Sequence, residues 1–421
     1  MTRRAPLLAL VGVSGISALG LAMTLMAIPW FVLRATGSGT QTAVVAAAET
    51  LGLLVSAVFG GPVVDRIGAR RASVAADALT AAAVALMPLA HATVGLPLPA
   101  AVLLTFAMGL TRGPADTAKQ VLLAEAIARG GTPVERGTSA FEGGKRIGTM
   151  LGAPLAGALI AVVGPVQVLY ADAATLLLSA ALIPLFLPAP PPAAPRPPAA
   201  GGGYLAQLRG GFRFLRQDRL LRALTAMLLI TNAMDGGLNG VLYPAYGTRV
   251  LHSSALLGTL VTAVGVGSLT GAALYAWAGH RWSRRLTFAL CFTVVGAPRF
   301  LLLALAPPPA LLLPALVLSG LGSGMLTPVM MAVAYDRVPK DLRGRVLGLV
   351  VACALAAMPL GTLAAGVLLD RTGLTTALLC FGAVYLVATL FPYAFPVWRA
   401  MDARRPAEPA PPRTEPAPAG S

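Results

Sequence analysis

Twelve apolar stretches, each about twenty residues or longer, follow one another along the chain with only short polar segments between them. About twenty apolar residues in helical form cross the hydrocarbon of a bilayer. A chain built this way is expected to be an all-α integral membrane protein of twelve transmembrane helices. The spans read as 6–33, 42–64, 72–94, 97–118, 138–163, 166–187, 219–247, 254–279, 286–306, 309–335, 345–369 and 374–397. Composition agrees: 57% of residues are hydrophobic and 11% charged, where a soluble domain carries about 25% charged residues. Arg3 and Arg4 precede the first run as they would in a signal peptide, but the run is too long for one and reads as an uncleaved first span.

The net charge is +16. In a soluble protein that would raise the question of nucleic acid. Here most Lys and Arg residues fall in alternate connections, such as Arg66, Arg70 and Arg71, then Arg129 and Arg136, then Arg281, Arg284 and Arg285. That skew places both termini in the cytoplasm of a cell-membrane protein. It also suits anionic lipid headgroups and leaves no need for nucleic acid. Cys291, Cys353 and Cys380 lie inside spans, without disulfide or metal spacing, and read as small core residues. No metal site or nucleotide fold is visible. The nearest match to a phosphate-binding loop, Ser139 to Lys145, lacks its first Gly and its Ser/Thr, so neither ATP nor a cofactor is expected.

The chain divides into two six-helix bundles, 1–188 and 218–400, joined by a linker at 189–217 and followed by a disordered tail at 401–421. Pro188 to Pro198 is a stiff Pro/Ala stretch, and Tyr204 to Leu221 interleaves arginines with Leu and Phe as a basic amphipathic helix able to lie on the inner leaflet. The halves repeat: one constant shift superposes Arg136 on Arg345, Gly152 on Gly361, Gly157 on Gly366 and Gly164 on Gly373. Two halves related by a pseudo-twofold axis along the membrane normal form a parallel transporter repeat.

Ionisable residues inside spans are expensive and read as functional. Glu49 lies in the second span. Asp235 lies in the seventh, on one face with Asn232 and Asn239, a polar stripe expected to line a central cavity. A carboxyl in low dielectric is penalised in its charged form and can load and release protons. Arg112, Asp116 and Lys119 end the fourth span, and Glu142, Lys145 and Arg146 open the fifth; these are expected to pair across the two helices. Arg299 has no evident partner, and Asp77 is expected to serve the arginines of the second connection.

That connection carries the most specific string in the chain, Gly61-x-x-x-Asp65-Arg66-x-Gly68-x-Arg70-Arg71. It resembles the signature loop between helices 2 and 3 of the major facilitator superfamily. The corresponding string in the second half keeps Arg284 and Arg285, but Gly279 and Trp282 replace the Asp and the second Gly. Gly148, Gly152, Pro154 and Gly157 in the fifth span resemble the antiporter motif of drug exporters, with Pro154 one residue late and Ala156 in place of a glycine. Ile28-Pro29-Trp30, Thr36-Gly37-Ser38, Arg343-Gly344-Arg345 and Gly348 extend the likeness to the branch containing tetracycline, aminoglycoside and macrolide exporters. The resemblance implies the major facilitator fold and a monomeric, proton-driven exporter of small amphiphilic compounds. It also implies that Asp65 and its arginines make interdomain contacts when the cytoplasmic side closes, and that the loop glycines allow its tight turn. An importer or uniporter of a metabolite on the same fold is the alternative, as is a receptor or lipid flippase that no longer pumps.

Overall fold

The computed structural model describes residues 5–95, 97–187, 212–339 and 342–402. The N-terminal bundle consists of α1 (Ala5–Thr36), α2 (Gly39–Ile67), α3 (Ala69–Val94), α4 (Leu98–Gly130), α5 (Val134–Val163) and α6 (Pro165–Phe186). The C-terminal bundle consists of α7 (Arg219–Gly237), α8 (Ser254–Ala278), a span in two halves, α9 (Arg284–Val295) and α10 (Ala297–Leu305), then α11 (Pro309–Arg337), α12 (Arg343–Thr372) and α13 (Leu374–Ala394). α7 runs on through a π-helical segment (Leu238–Leu242), one α turn (Tyr243–Tyr246) and a second π-helical segment (Gly247–Leu251). Ten spans are long and apolar enough to cross a membrane by length and hydropathy alone. α4 and α7 complete the twelve; their apolar runs are interrupted by Arg112, Asp116 and Lys119 in one and by Asp235 in the other.

The outer surface is apolar. Leu103, Val162, Trp277 and Leu360 are each more than two-thirds exposed, while Asp77, Lys119 and Asp172 are buried. That inversion of the soluble pattern is what lipid requires, and the chain is a multi-pass membrane protein. The two bundles repeat one packing scheme. α1 packs on α5, α2 on α4, and α3 on α4 and α6; correspondingly α7 packs on α12, α8 on α11, and α9 on α11 and α13. Helices associate in lipid without a hydrophobic driving force, so close backbone approach at small residues must supply the contact. Gly52, Gly109 and Gly113 serve this purpose between α2 and α4, and Gly267, Gly271, Gly320 and Gly324 between α8 and α11; a Cβ at any of them would overlap the facing helix.

Each half also anchors an arginine from its second connection on a late carbonyl. Arg70 donates to the Pro184 carbonyl at 2.7 Å, and Arg285 donates to the Pro392 carbonyl at 2.9 Å. The loop around Arg70 departs from expectation in one respect. α2 continues through Gly61 to Ile67, so only Gly68 makes the turn, at φ 85°, a region that disfavours side chains. A Cβ at Gly61 would meet open space. α4 also runs past its expected end near 118 to Gly130, because Leu122, Leu123, Ala126 and Ile127 are buried in a core shared with Leu7, Leu10 and Phe141. Cys291 is buried as expected, but Cys380 is exposed among lipid-facing residues. The Pro-rich stretch, the amphipathic helix before residue 212 and the tail beyond 402 lie outside the described residues. Residues 212–217 are helical, with Leu215 buried and Arg213 and Arg216 exposed.

Because the spans alternate in direction, the start of α1, the end of α6, the start of α7 and the end of α13 share one end of the molecule, here called basal, and the α1–α2 and α7–α8 turns lie at the distal end. Among the described residues, the hydrogen bonds between the bundles are distal. Ser254 Oγ donates to the Gly157 carbonyl at 2.9 Å. Asp370, in the last turn of α12, accepts from Ser38 Oγ at 2.9 Å and from the backbone N–H groups of Gly39 and Thr40 at 2.7 and 2.8 Å. The first N–H groups of a helix have no partner in their own helix and carry its positive dipole end, so α12 of one bundle caps α2 of the other. Gly366 on Ala43 and Gly247 on Trp30 continue the same seam. Asp370→Ala is expected to loosen it: spin labels at Thr36 and Arg371, in a background lacking native cysteines, will show a longer distance component. An unchanged distance distribution would show that Asp370 does not hold the bundles together.

Candidate functional site

Inside the N-terminal bundle, between spans that are otherwise apolar, lies a cavity of about 270 Å3. Its wall carries four carboxyls (Glu49, Asp77, Asp116 and Asp172) and three cations (Arg112, Lys119 and Lys145), with Ser14, Ser17, Thr24, Thr80 and Thr149 among them. Every helix of the bundle contributes. Charges at this depth need partners, and most of them have one. Arg112 Nη1 of α4 lies 3.3 Å from Glu49 Oε1 of α2. Lys119 Nζ of α4 lies 3.0 Å from Asp77 Oδ2 of α3 and donates to Ser17 Oγ of α1 at 2.9 Å. Ser179 of α6 donates to the same Asp77 carboxyl. This knot of α1, α3, α4 and α6 is nearly dry, with Lys119 4% and Asp77 2% exposed.

Asp172 of α6 differs from the others. Its carboxyl accepts from Thr24 of α1 and from Thr175 one turn along α6, and no cation forms an ion pair with it among the described residues. It is 2% exposed. Gly20 of α1 makes room for it, since a Cβ there would overlap the Asp172 carboxyl and the Thr175 hydroxyl.

The C-terminal bundle holds a second, smaller polar centre. Asp235 of α7 pairs with Arg299 of α10. The break between α9 and α10 falls at Gly296, which lies against Tyr385 of α13, and α10 restarts with Pro298 in its first turn. Arg299 thereby reaches Asp235 with its guanidinium 5.2 Å from the Phe300 ring centre and 5.6 Å from that of Tyr385, within cation–π range. Around this pair the Tyr243 and Tyr385 hydroxyls and Arg299 Nε are buried without a hydrogen-bond partner among the described residues.

The predicted site residues are thus brought together in a different pairing. Arg112 and Lys119 pair with α2 and α3, not with α5; Asp116, Glu142 and Arg146 are exposed and form no ion pair among the described residues. Asp77 lies well inside the bundle and pairs with Lys119, so it does not serve the loop arginines; Arg70 uses a backbone carbonyl instead. Asn232 and Asn239 spend their side-chain amides on the Leu228 and Asp235 carbonyls one turn back, which leaves Asp235 as the charged member of that stripe. Asp65, Arg66 and Arg71 are exposed at the basal end. In α5, Gly148 and Gly152 lie against α1, while Gly157, beyond Pro154, lies against Ser254 and Gly258 of α8 in the other bundle. Sequence reading passed over Asp172, Ser17, Ser179 and Thr24. Asp172 carried the same signal as Glu49, an acid within an apolar run.

Comparison with known proteins bears on both halves. A family model described as Major Facilitator Superfamily matches residues 10–238 and 225–421. The multidrug efflux pump Tap of Mycolicibacterium fortuitum is 31% identical over 404 residues, covering 95% of this chain and 98% of that protein. The protein of the same name from Mycobacterium tuberculosis (strain ATCC 25618 / H37Rv) is 31% identical over 405 residues, covering 95% and 96%. Among solved structures, a mutant of the nucleoside transporter NupG superposes with TM-score 0.79 at 14% identity, over 92% of this chain and 99% of that one. A bacterial homologue of the human lysosomal transporter Spinster, in an inward-facing and unoccupied conformation, superposes with TM-score 0.70 at 14% identity, over 96% and 99%.

Proposed function

Because the chain belongs to the Major Facilitator Superfamily, we propose that it is a proton-coupled exporter of small amphiphilic compounds that works by alternating access. The observation that carries this reading is the cavity of the N-terminal bundle, where four carboxyls face three cations inside a membrane span. Buried charge costs free energy, so such a cluster is expected where a proton or a charged cargo moves. Similarity over nearly the whole length to a pump named for multidrug efflux supports the direction and the cargo class. With the arginine-rich connections and the termini in the cytoplasm, as their charge favours, the distal seam lies outside and the bundles are joined on that side. That is the inward-facing arrangement, consistent with the exposed Asp65, Arg66 and Arg71, whose interdomain contacts belong to the opposite state.

In this reading Glu49–Arg112 and Asp235–Arg299 are the acid–base pairs that proton or cargo opens. The orphaned donors of Tyr243 and Tyr385 beside Arg299 are the polar handles a cargo meets in the C-terminal bundle. Asp116 lines the same cavity and Glu142 is exposed next to the cavity residue Phe141, as further acids for proton or cargo to meet. The drive is the proton gradient, without a bound cofactor, and the cell membrane is the site of action.

The test is drug-dependent proton movement. Purified protein in liposomes with an internal pH dye and an imposed gradient is challenged in turn with tetracycline, a macrolide, an aminoglycoside and ethidium. At least one is expected to dissipate the gradient with the wild-type protein and to fail with Asp235→Asn. If a folded, helical protein responds to none of them, the exporter reading is wrong for these cargo classes and an importer of a metabolite takes its place.

A further inference from the structure

The cavity wall sorts its four carboxyls into three kinds. Glu49 and Asp77 are each matched by a cation from α4. Asp116 is exposed and solvated. Asp172 is buried, is held by two hydroxyls only, and has a glycine cut out of the facing helix to fit it. Of the three cations, Arg112 and Lys119 are committed, and Lys145 leans over the Phe141 ring with its ammonium 5.8 Å from the ring centre. One carboxylate is therefore left without an ion-pair partner at a dry position among the described residues, and the pattern of contacts assigns it to one residue. A buried carboxylate without a cation is costly, and binding one proton removes the whole cost. Neither Glu49 nor Asp77 has that property, because protonating it strands its cation instead.

A second observation points to traffic at the same place. Ser14 of α1 lines the cavity, is 3% exposed, and its hydroxyl has no hydrogen-bond partner among the described residues. Ser14 and Ser17 lie on the α1 face that continues towards Thr24 at the Asp172 carboxyl. A hydroxyl left open inside a polar cavity is where a water is held, and hydroxyls and water together are the carriers along which a proton reaches a buried acid.

We propose that Asp172 is the group that binds the exchanged proton. The assignment rests on the proton-coupled reading given above and narrows it to one side chain. Its carboxylate takes a proton from water in the cavity, the site goes from charge −1 to neutral, and the same proton returns to water on the opposite face after the bundles have rocked; nothing else is formed or broken. Thr24 and Thr175 donate to the ionised form and turn to accept from the protonated one, as hydroxyls can. Asp77–Lys119 remains an ion pair throughout.

Two measurements test this, one of which needs no cargo. Infrared difference spectra of the purified protein between acid and neutral pH are expected to show the carbonyl stretch of a protonated carboxyl, lost in Asp172→Asn and kept in Glu49→Gln. In liposomes, Asp172→Asn is expected to lose the accumulation of labelled ethidium of about tenfold per pH unit that one coupled proton drives, and Asp172→Glu will recover part of it. Persistence of the infrared band in Asp172→Asn, or gradient-driven accumulation by that variant, overturns the assignment. If the wild type itself accumulates no cargo against a gradient, the exporter reading fails, while loss of the band in Asp172→Asn would still identify the proton-binding group.

Discussion

Replacing Lys119 with methionine is expected to destabilise the protein by about 3–5 kcal/mol. The side chain is 4% exposed and its ammonium meets Asp77, itself 2% exposed, at 3.0 Å. Methionine fills much the same volume, so little packing is lost. The cost comes from Asp77, which is left ionised among apolar helices with only Ser179 to donate to it. Adding Asp77→Asn to Lys119→Met removes the stranded charge, and the double variant should recover most of the loss. A double-mutant cycle by thermal unfolding in detergent, followed by the fluorescence of buried Trp30 and Trp398, measures the coupling. If Lys119→Met unfolds with the wild type, the knot of α1, α3, α4 and α6 is not held by charge. The pair Glu125–Arg129, on the surface of α4 at 3.8 Å, gives the contrast, because solvent screens such pairs and Glu125→Gln should leave stability unchanged.

Gly324→Ala is expected to be damaging, whereas Gly265→Ala is expected to be stabilising, although both glycines lie inside helices of the same bundle. A Cβ at Gly324 would overlap the Ser268 carbonyl and the Ala272 nitrogen, which are backbone atoms of α8 and cannot swing aside. The two helices must separate, at a cost of about 1–3 kcal/mol or more, and separation also breaks the neighbouring approaches at Gly267 and Gly320. A Cβ at Gly265 would meet nothing within 4 Å, so alanine there brings only its better helix propensity, about 1 kcal/mol. Gly109→Ala should repeat the Gly324 result in the other half, where the obstacle is the Glu49 carbonyl; it would also displace the acid from Arg112. Monodisperse yield on size exclusion and the midpoint of thermal unfolding decide the matter. A Gly324→Ala protein as stable as the wild type would mean that the α8–α11 contact is slack.

The spans were legible in the sequence because lipid imposes a length and a composition that few other constraints can mask. The repeat was legible because glycines at helix crossings and arginines at the second connection keep their spacing in both halves. The ends of spans were less so: α4 extends to Gly130 because its last turns pack in the basal core, which is a tertiary fact. The break before α10 left a readable trace, Gly296 followed by Pro298, a pair that commonly ends one helix and begins another. Charge partners could not be read. Glu49 and Arg112 are far apart in sequence and on helices whose neighbours only the packing order decides, so local spacing favoured α4 with α5, the wrong pair. Asp172 was visible as an acid in an apolar run, but its distinguishing property is the lack of a cation, and that appears only when all six helices are in place.

The π-helical turns of α7 have a mechanical meaning. A π turn holds one residue more than an α turn, so Leu238–Leu242 and Gly247–Leu251 each store a spare residue within a continuous helix. They flank Tyr243–Tyr246, whose four side chains are all buried, with Pro244 among them supplying no N–H to the ladder. Relaxing one such turn to α geometry while widening the other passes the spare residue along, as a ruck passes along a carpet. Such a shift would turn the block between them by about 100° and slide it about 1.5 Å, carrying Tyr243 and Tyr246 with it.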